Sequence, residues 1–310
     1  MEEVGQEAID RDCLVIGGGP AGLTAAIYLA RYHLSVTVID SGQSRAALIP
    51  LTRNHAGFPD GISGPDLLAR MRQQAGMYGA EFLAGTVTEL VLTEAGFTAR
   101  AGHGLVRART VLLATGVVNR RPQGMTDEDH HHTLVTGLLR YCPVCDGYEV
   151  TDRRVAVLGT GERGCAEALF LRSYTADVTL VAPAEGHVLS DEHRRRLTAA
   201  GIAIAGTGGP ISLRGRTIDL DIDGVATSFD TLYPALGSHI QSELAGGLDA
   251  TLSEEGCLIV DAHQRTNVAG LYAAGDVVLG LDQISHAMGG GGVAATTTRN
   301  DLARRTPLLR

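Results

Sequence analysis

The sequence predicts an α/β protein made of two Rossmann-like, three-layer nucleotide-binding units. Three observations predict it. A strand–G-x-G-x-x-G–helix–strand pattern occurs twice, starting at Gly17 and again at Gly159. The chain carries 40 glycines, while its aromatic residues make up 4% and Trp is absent; that balance suits backbone approaching phosphates rather than a base-stacking surface. At 310 residues there is enough chain for two domains with ordinary cores.

The first unit opens with Cys13 to Ile16, a short apolar run bounded by glycine, as expected of a buried parallel strand. Gly17-Gly18-Gly19-Pro20-Ala21-Gly22 follows, then a helix over Leu23 to Arg31, then a strand from Ser35 to Ile39 ending at Asp40. Each piece has a mechanical role: Gly17 makes the turn, Gly19 lets a pyrophosphate touch backbone, Gly22 lets helix and strand pack closely, and Asp40 suits a ribose hydroxyl. Further on, Val111 to Gly116 is an apolar strand entering a small-residue turn, and Gly270 to Asp276 repeats the theme. Gly275 and Asp276 suit a ribityl-pyrophosphate chain. Asp282 to His286 begins a helix reaching Arg299, whose N-terminus suits the flavin edge where negative charge gathers on reduction. Gly289 to Gly292 lie inside that helix at about 1 kcal/mol each relative to alanine, so close packing against a cofactor or another backbone must compensate.

The second unit runs from a strand at Arg154 to Leu158 through Gly159-Thr160-Gly161-Glu162-Arg163-Gly164, a helix from Cys165 to Tyr174, and a strand from Asp177 to Val181. Gly159, Gly161 and Gly164 fill the motif positions. One unit would hold a flavin and the other a nicotinamide nucleotide. Here the second strand ends Leu180-Val181-Ala182-Pro183-Ala184, with neither an acid for a ribose diol nor an arginine for a 2′-phosphate. Glu185, His187 and the basic run Arg194 to Arg196 are the substitutes nearest in sequence.

Between the units lies Tyr141-Cys142-Pro143-Val144-Cys145-Asp146-Gly147-Tyr148-Glu149. Two cysteines at this spacing close a small disulfide ring, and such a dithiol shuttles two electrons, one sulfur attacking a partner disulfide and the other resolving the mixed intermediate. Asp146 is placed to protonate the departing thiolate or reclaim its proton. With Cys142 as the cap and Pro143 in the first turn, a helix N-terminus would favour a thiolate. The same spacing also serves as half of a zinc site, with His130-His131-His132 as the other ligands; those histidines are expected in a solvated connecting loop.

Composition excludes other classes. A net charge of -9 argues against a nucleic-acid partner, which needs a basic face, and the run His193 to Arg196 would spread around a helix surface. Five scattered cysteines indicate a reducing compartment with one special pair. Cys13, Cys165 and Cys257 sit in apolar contexts and are expected to be buried. His55 and His286 are expected in structural hydrogen bonds. The acidic start, Met1 to Asp12, lacks the basic region of a signal peptide. The uncharged stretch Cys13 to Ala30 holds too many glycines for a membrane span. A soluble, cytoplasmic protein is the expectation.

Together these residues resemble the low-molecular-weight thioredoxin reductases. The resemblance rests on GGGPAG, the segment Asn54 to Gly64, LLATG at 112–116, CPVCDG at 142–147, GTGERG at 159–164, AAGD at 273–276 and Gln283. It implies that the nicotinamide domain is inserted into the FAD domain: residues 1–119 and 244–310 for FAD, 120–243 for NADPH or NADH and the dithiol. Hinges would lie near Val117–Pro122 and Leu236–Gln241, since family members rotate one domain. It implies that Cys145 faces the flavin, Cys142 attacks the partner disulfide and Asp146 is the acid–base group. The implied FAD contacts are Gly17, Gly19, Pro20, Ala21, Gly22, Asp40, Ser41, Gly42, Arg45, Asn54, Val87, Thr115, Gly116, Gly275, Asp276, Gln283 and Ile284. A thioredoxin-like protein disulfide and a homodimer are implied as partners.

This sequence departs from the family in three places. Val181-Ala182-Pro183 replaces the His-Arg-Arg that marks a 2′-phosphate site, Asp282 replaces the arginine before the flavin glutamine, and Pro143-Val144 replaces the small residues between the cysteines. These leave a second reading: a reductase-like flavoprotein with a lost or altered nicotinamide site, using another donor, acting as a redox adaptor, or oxidising a small dithiol. The family's small-dithiol oxidases carry a histidine after the second cysteine, so Asp146 points toward a reductase.

Overall fold

Strand pairing and helix capping account for the order of elements in the computed structural model, which describes residues 9–102 and 104–309. The chain starts β1 (Ile9–Ile16), α1 (Pro20–Arg31), β2 (Val36–Asp40), α2 (Gly64–Met77), β3 (Glu81–Ala84), β4 (Val87–Thr93), β5 (Gly96–Ala101), β6 (Gly104–Leu113) and β7 (Val117–Asn119). It continues α3 (Asp127–Thr136), α4 (Pro143–Asp146), β8 (Val155–Gly159), α5 (Gly161–Leu171), β9 (Val178–Ala182), α6 (Asp191–Ala199), β10 (Ala203–Arg214), β11 (Thr217–Ile222), β12 (Val225–Phe229) and β13 (Thr231–Ala235). It closes with β14 (Ser238–Ile240), α7 (Glu243–Gly246), β15 (Leu271–Ala273) and α8 (Ile284–Arg305).

The chain divides into two units. One comprises Met1–Ala47, Ile62–Val118 and Ile240–Arg310, the other Leu48–Gly61 and Asn119–His239. Residues 48–61, given to the FAD part by the resemblance, therefore group with the second unit. Contacts explain it: Asn54 Nδ2 donates to the Val144 carbonyl at 3.4 Å and Arg53 lies 3.6 Å from Glu149. The chain passes between units inside β7 and β14, which form a two-stranded sheet.

The first unit holds a sheet ordered β3-β2-β1-β6-β5-β4, with β15 also beside β6. β6 is long enough to serve two neighbours: its first half pairs with β5 antiparallel and its end with β15 parallel. Side chains alternate between faces along each strand. Cys13 and Val15 of β1 join a core with α1 and α8, while Leu14 and Ile16 join a second core with Phe97, Val111 and Val277. β1 begins earlier than its apolar run predicts, because its polar start pairs with β6 and is matched by charge: Asp10 with Arg107 and Asp12 with Arg109.

The second unit repeats the plan with β12-β11-β10-β9-β8-β13, parallel from β13 to β10 and antiparallel beyond. Val155 and Val157 face the core containing α5, while Ala156 and Leu158 face the core under α3. α5 starts at Gly161 rather than Cys165, because the glycine motif itself supplies the first helical turn. No described helix is long and apolar enough to cross a membrane.

The glycines of α8 divide by position. A Cβ on Gly291 would overlap the Ala21 carbonyl oxygen of α1, so this glycine exists to let two helices touch through backbone. A Cβ on Gly289 meets nothing within 4 Å. Gly291→Ala is therefore expected to destabilise by about 1–3 kcal/mol through overpacking, and Gly289→Ala to stabilise by up to about 1 kcal/mol through helix propensity. Denaturant titration of the two variants checks both signs.

Candidate functional site

At the first glycine turn the end of β1 runs into α1 with almost no space between backbones. Gly17 has φ 111°, and a Cβ there would overlap the Ala114 carbonyl. A Cβ on Gly22 would overlap the Gly17 carbonyl. Gly19, the N-cap, has no side-chain hydrogen bond to the helix and faces open space apart from Ser44 Oγ. The first N–H groups of α1 thus end at an uncapped cradle that a side chain would fill, the arrangement that takes a phosphate. Asp40 ends β2, with Oδ1 accepting from Gly42 N at 3.1 Å and Oδ2 3.6 Å from Arg72. Gly18 adds a requirement that motif reading missed: a Cβ there would overlap the Asp40 carboxylate. Arg72 was missed as well, since a lone arginine on a helix gives no signal.

Thr115 and Gly116 follow β6 and are tied to Gln241: Gln241 Nε2 donates to Thr115 O at 2.6 Å, and Gln241 N to Gly116 O at 3.0 Å. Gly275 has φ 83° and abuts Ala21, where a Cβ would come within 2.9 Å of the alanine methyl. Next to it Arg45 Nη1 bridges Asp276 at 3.3 Å and Asp282 at 2.8 Å. Burial pushes the Asp276 carboxyl up, Asp282 pushes the same way, and Arg45 pulls back. Asp282 thus makes sense in place of an arginine: it shares the cation that Asp276 needs. Gln283 caps α8 and Ile284 starts it. Val87 begins β4 with its side chain in the core, while Ser41 and Gly42 are exposed. These residues lie in one unit; Asn54 lies in the other. His286 Nδ1 is 2.8 Å from the Leu281 carbonyl and His55 stacks on Phe58, both structural roles.

The second turn repeats the close glycine-to-glycine contact of the first, with the positive φ at its second glycine rather than its first. A Cβ on Gly164 would sit 2.8 Å from the Gly159 carbonyl carbon, and Gly161 has φ 62°. Its side chains differ. Thr160 Oγ1 accepts from Val188 N at 2.6 Å, which folds the loop after β9 back onto the turn. Glu162, in the first turn of α5, is held by His193 at 2.9 Å and Arg196 at 3.4 Å, and its hydrogen bond from His193 holds its carboxyl below the ordinary value. His187 is committed to the Ala205 carbonyl at 2.9 Å, and Arg195 pairs with Glu192. β9 itself ends at Ala182, followed by Pro183.

The Cys142–Cys145 stretch folds as expected in kind and shorter in extent. Cys142 is the N-cap and Pro143 the first residue of α4, a single turn that passes into a 3₁₀ turn over Gly147–Val150. One turn gives local N–H donors rather than a developed dipole: Cys145 N donates to Cys142 Sγ at 3.1 Å. The two cysteines form a disulfide with Cα atoms 5.2 Å apart. Asp146 accepts from Arg140 at 2.9 Å and from the Tyr233 hydroxyl at 2.8 Å. Burial pushes its carboxyl above the ordinary value, while Arg140 and Tyr233 pull it down.

The histidines expected in a loop sit instead in α3, capped by Thr126 Oγ1 accepting from Asp129 N at 3.1 Å. The T-x-x-D spacing was the signal for this helix. His130 is buried against the Tyr141 hydroxyl at 2.9 Å, and burial holds its ring below the ordinary value. Cys13 and Cys165 are buried as expected; Cys257 is only partly so. Among the described residues no group of three or more His, Cys, Asp or Glu side chains is arranged to hold a metal.

Two strand–glycine turn–helix units, together with a disulfide beside a half-buried acid, are the features of an oxidoreductase that works on disulfides. The family model for pyridine nucleotide-disulphide oxidoreductases matches residues 11–291. The chain is 31% identical over 301 residues to thioredoxin reductase of Listeria monocytogenes, covering 91% of each. It is 34% identical over 283 residues to thioredoxin reductase of Streptomyces clavuligerus, covering 86% of each. The solved thioredoxin reductase of Streptococcus pyogenes superposes with a TM-score of 0.87 at 27% identity, covering 96% of this chain and 100% of that one. The chain belongs to the low-molecular-weight thioredoxin reductase family of pyridine nucleotide-disulphide oxidoreductases. It is a flavoprotein with FAD as cofactor, the family pairing FAD with a nicotinamide nucleotide.

Arg45→Met leaves Asp276 and Asp282 facing each other without their shared cation. The variant is expected to retain less FAD on purification than the parent, with partial recovery in Arg45→Lys. The ratio of flavin to protein absorbance measures it.

Proposed function

We propose that the protein reduces a protein disulfide, such as that of a thioredoxin, with electrons from NADPH or NADH. FAD, when bound, supplies the two-electron link between the nucleotide and the dithiol. The observation that carries this reading is the Cys142–Cys145 disulfide at the cap of a helical turn that ends in a half-buried aspartate. Cys145 is the sulfur turned to the flavin, Cys142 the one that attacks the partner disulfide, and Asp146 the group that moves the proton. The unit with Gly17, Gly19, Pro20, Ala21, Gly22, Asp40, Ser41, Gly42, Arg45, Thr115, Gly116, Gly275, Asp276, Gln283 and Ile284 holds FAD, its uncapped cradle fitting the pyrophosphate. Asn54 and Val87 complete the contacts. Gly159, Gly161 and Gly164 approach the nicotinamide nucleotide. The proposed domain split is 1–119 with 244–310 for FAD and 120–243 for the nucleotide, except that residues 48–61 group with the second unit. A homodimer is proposed by family likeness. The cytoplasm is proposed because Cys13, Cys165 and Cys257 stay free while one pair is joined.

One observation favours a second reading, in which the nicotinamide site is altered. The end of β9 offers Ala182 and Pro183, and His193, Arg195 and Arg196 are engaged by Glu162 and Glu192. Of that basic run, Arg194 is then the member outside these pairs. In that case the flavin takes electrons from another donor such as a protein, the chain acts as a redox adaptor, or the dithiol oxidises a small dithiol.

Two experiments test the proposal. Cys145→Ser is expected to abolish disulfide turnover and keep bound flavin; surviving turnover would remove the dithiol from the mechanism. Anaerobic mixing with NADPH, NADH or dithionite, followed by flavin absorbance, names the donor. Bleaching by dithionite alone would reject both nucleotides and support the second reading.

A further inference from the structure

Asp146 ends the turn that begins at Cys142, and its carboxylate is gripped from outside that turn on both oxygens. Arg140 Nη1 donates to Oδ2 at 2.9 Å and the Tyr233 hydroxyl to Oδ1 at 2.8 Å. Both donors are themselves held. Arg140 Nε donates to the Gly137 carbonyl at 3.2 Å, and its backbone N–H donates to Leu232 O at 3.0 Å. Gly137, at φ 73°, leaves the space the guanidinium occupies: a Cβ there would lie 2.5 Å from Nη2. Tyr233 is fully buried on β13, and its hydroxyl also lies 3.4 Å from the Asp146 carbonyl.

Each carboxylate oxygen has two lone pairs and gives one to a donor, so a proton can still be seated on the other while both contacts hold. Neither donor yields readily. Arginine keeps its proton throughout the working range, and burial pushes the Tyr233 phenol far above its ordinary value. The two donors favour the charged form of Asp146 against the burial that disfavours it. The other titratable groups around it are the two cysteines of its turn and Glu149, a like charge that pushes the Asp146 carboxyl up and sits 3.6 Å from Arg53.

We propose that Arg140 and Tyr233 are positioning residues that clamp Asp146, one on each oxygen, as the carboxylate that takes a proton from the reduced dithiol. This rests on the acid–base reading of Asp146 given above. In the step it serves, the Cys142 thiol passes its proton to Asp146 and the thiolate attacks the partner disulfide. The Cys142–partner bond forms, the partner S–S bond breaks, and the departing thiolate takes the proton back. Cys145 then attacks Cys142, closing the ring and releasing the second partner sulfur, which receives the Cys145 proton. Two thiols and one disulfide go in, and two thiols and one disulfide come out.

The test is the rate at which iodoacetamide alkylates Cys142 in the anaerobically reduced holoenzyme, followed by mass spectrometry against pH. The rate falls on the acid side as Asp146 gains its proton. Arg140→Met is expected to move that midpoint up by about one pH unit, as loss of an adjacent opposite charge does. Tyr233→Phe should move it the same way by less, and Arg140→Lys should restore most of it. In an Asp146→Asn background Arg140→Met should add no further shift, which separates an effect through Asp146 from one on the thiol itself. If Asp146→Asn leaves the profile unchanged, the acid–base reading fails and the clamp with it. If Asp146→Asn alters the profile while Arg140→Met and Tyr233→Phe superimpose on the parent, the reading stands and the clamp is wrong. Should Arg140→Met not fold, Tyr233→Phe and Arg140→Lys decide alone.

Discussion

A parallel strand can hand over to a helix within a few residues only if the two backbones come into direct contact, and everything at the sites follows from that contact. In the first unit the missing Cβ of Gly22 lets α1 rest on the Gly17 carbonyl; in the second, Gly164 rests on Gly159 in the same way. Any side chain at these positions would push the helix off the sheet and carry its first N–H groups with it. Because the helix starts so close to the strand end, its N-terminus stays uncapped, at Gly19 in one unit and Thr160 in the other. Those N–H groups are what a phosphate can use. The fold creates the binding chemistry before any side chain contributes.

Side chains then meet a second constraint, that a buried carboxylate needs a donor for its oxygens. Three acids near the proposed chemistry meet it in three ways. Asp40 turns one oxygen to the Gly42 backbone and the other toward Arg72. Asp276 shares Arg45 with Asp282, so one cation fastens the residues after β2 to the turn after β15 and to the start of α8. Asp146 uses a phenol and a guanidinium, the latter resting on a glycine carbonyl. Removing Arg45 leaves Asp276, and removing Arg140 or Tyr233 leaves Asp146, short of a partner that pulls its carboxyl down.

Local geometry was legible in the sequence; pairing across distance was not. The glycine turns, the Cys142 cap with Pro143 behind it, and the start of α8 were readable because each depends on residues within one or two turns of chain. The α3 helix was also local, but a run of acids and histidines without an apolar stripe hid its Thr126 cap. Arg45 and Asp282 were each singled out, one as a flavin contact and one as a departure from the family. Nothing in the sequence said that they face each other, since 237 residues separate them. Tyr233 drew no attention because an aromatic in a buried strand reads as core. It is core, with one polar atom that reaches the acid beside the disulfide.

The two turns separate what a motif can tell from what it cannot. Both bring the last glycine of the motif against the first, while their dihedrals differ, the positive φ falling on Gly17 in one and on Gly161 in the other. Their charges do not match. The first turn sets Gly18 against the Asp40 carboxylate at the end of its second strand; the second has Ala182 and Pro183 there and an acid, Glu162, inside the helix start. An acid at a helix N-terminus is favourable for the helix, yet it stands where a pyrophosphate would otherwise draw on the same field. His193 and Arg196 offset that charge. The glycine contact is therefore common to both turns, and what distinguishes them is the charge their side chains set around it.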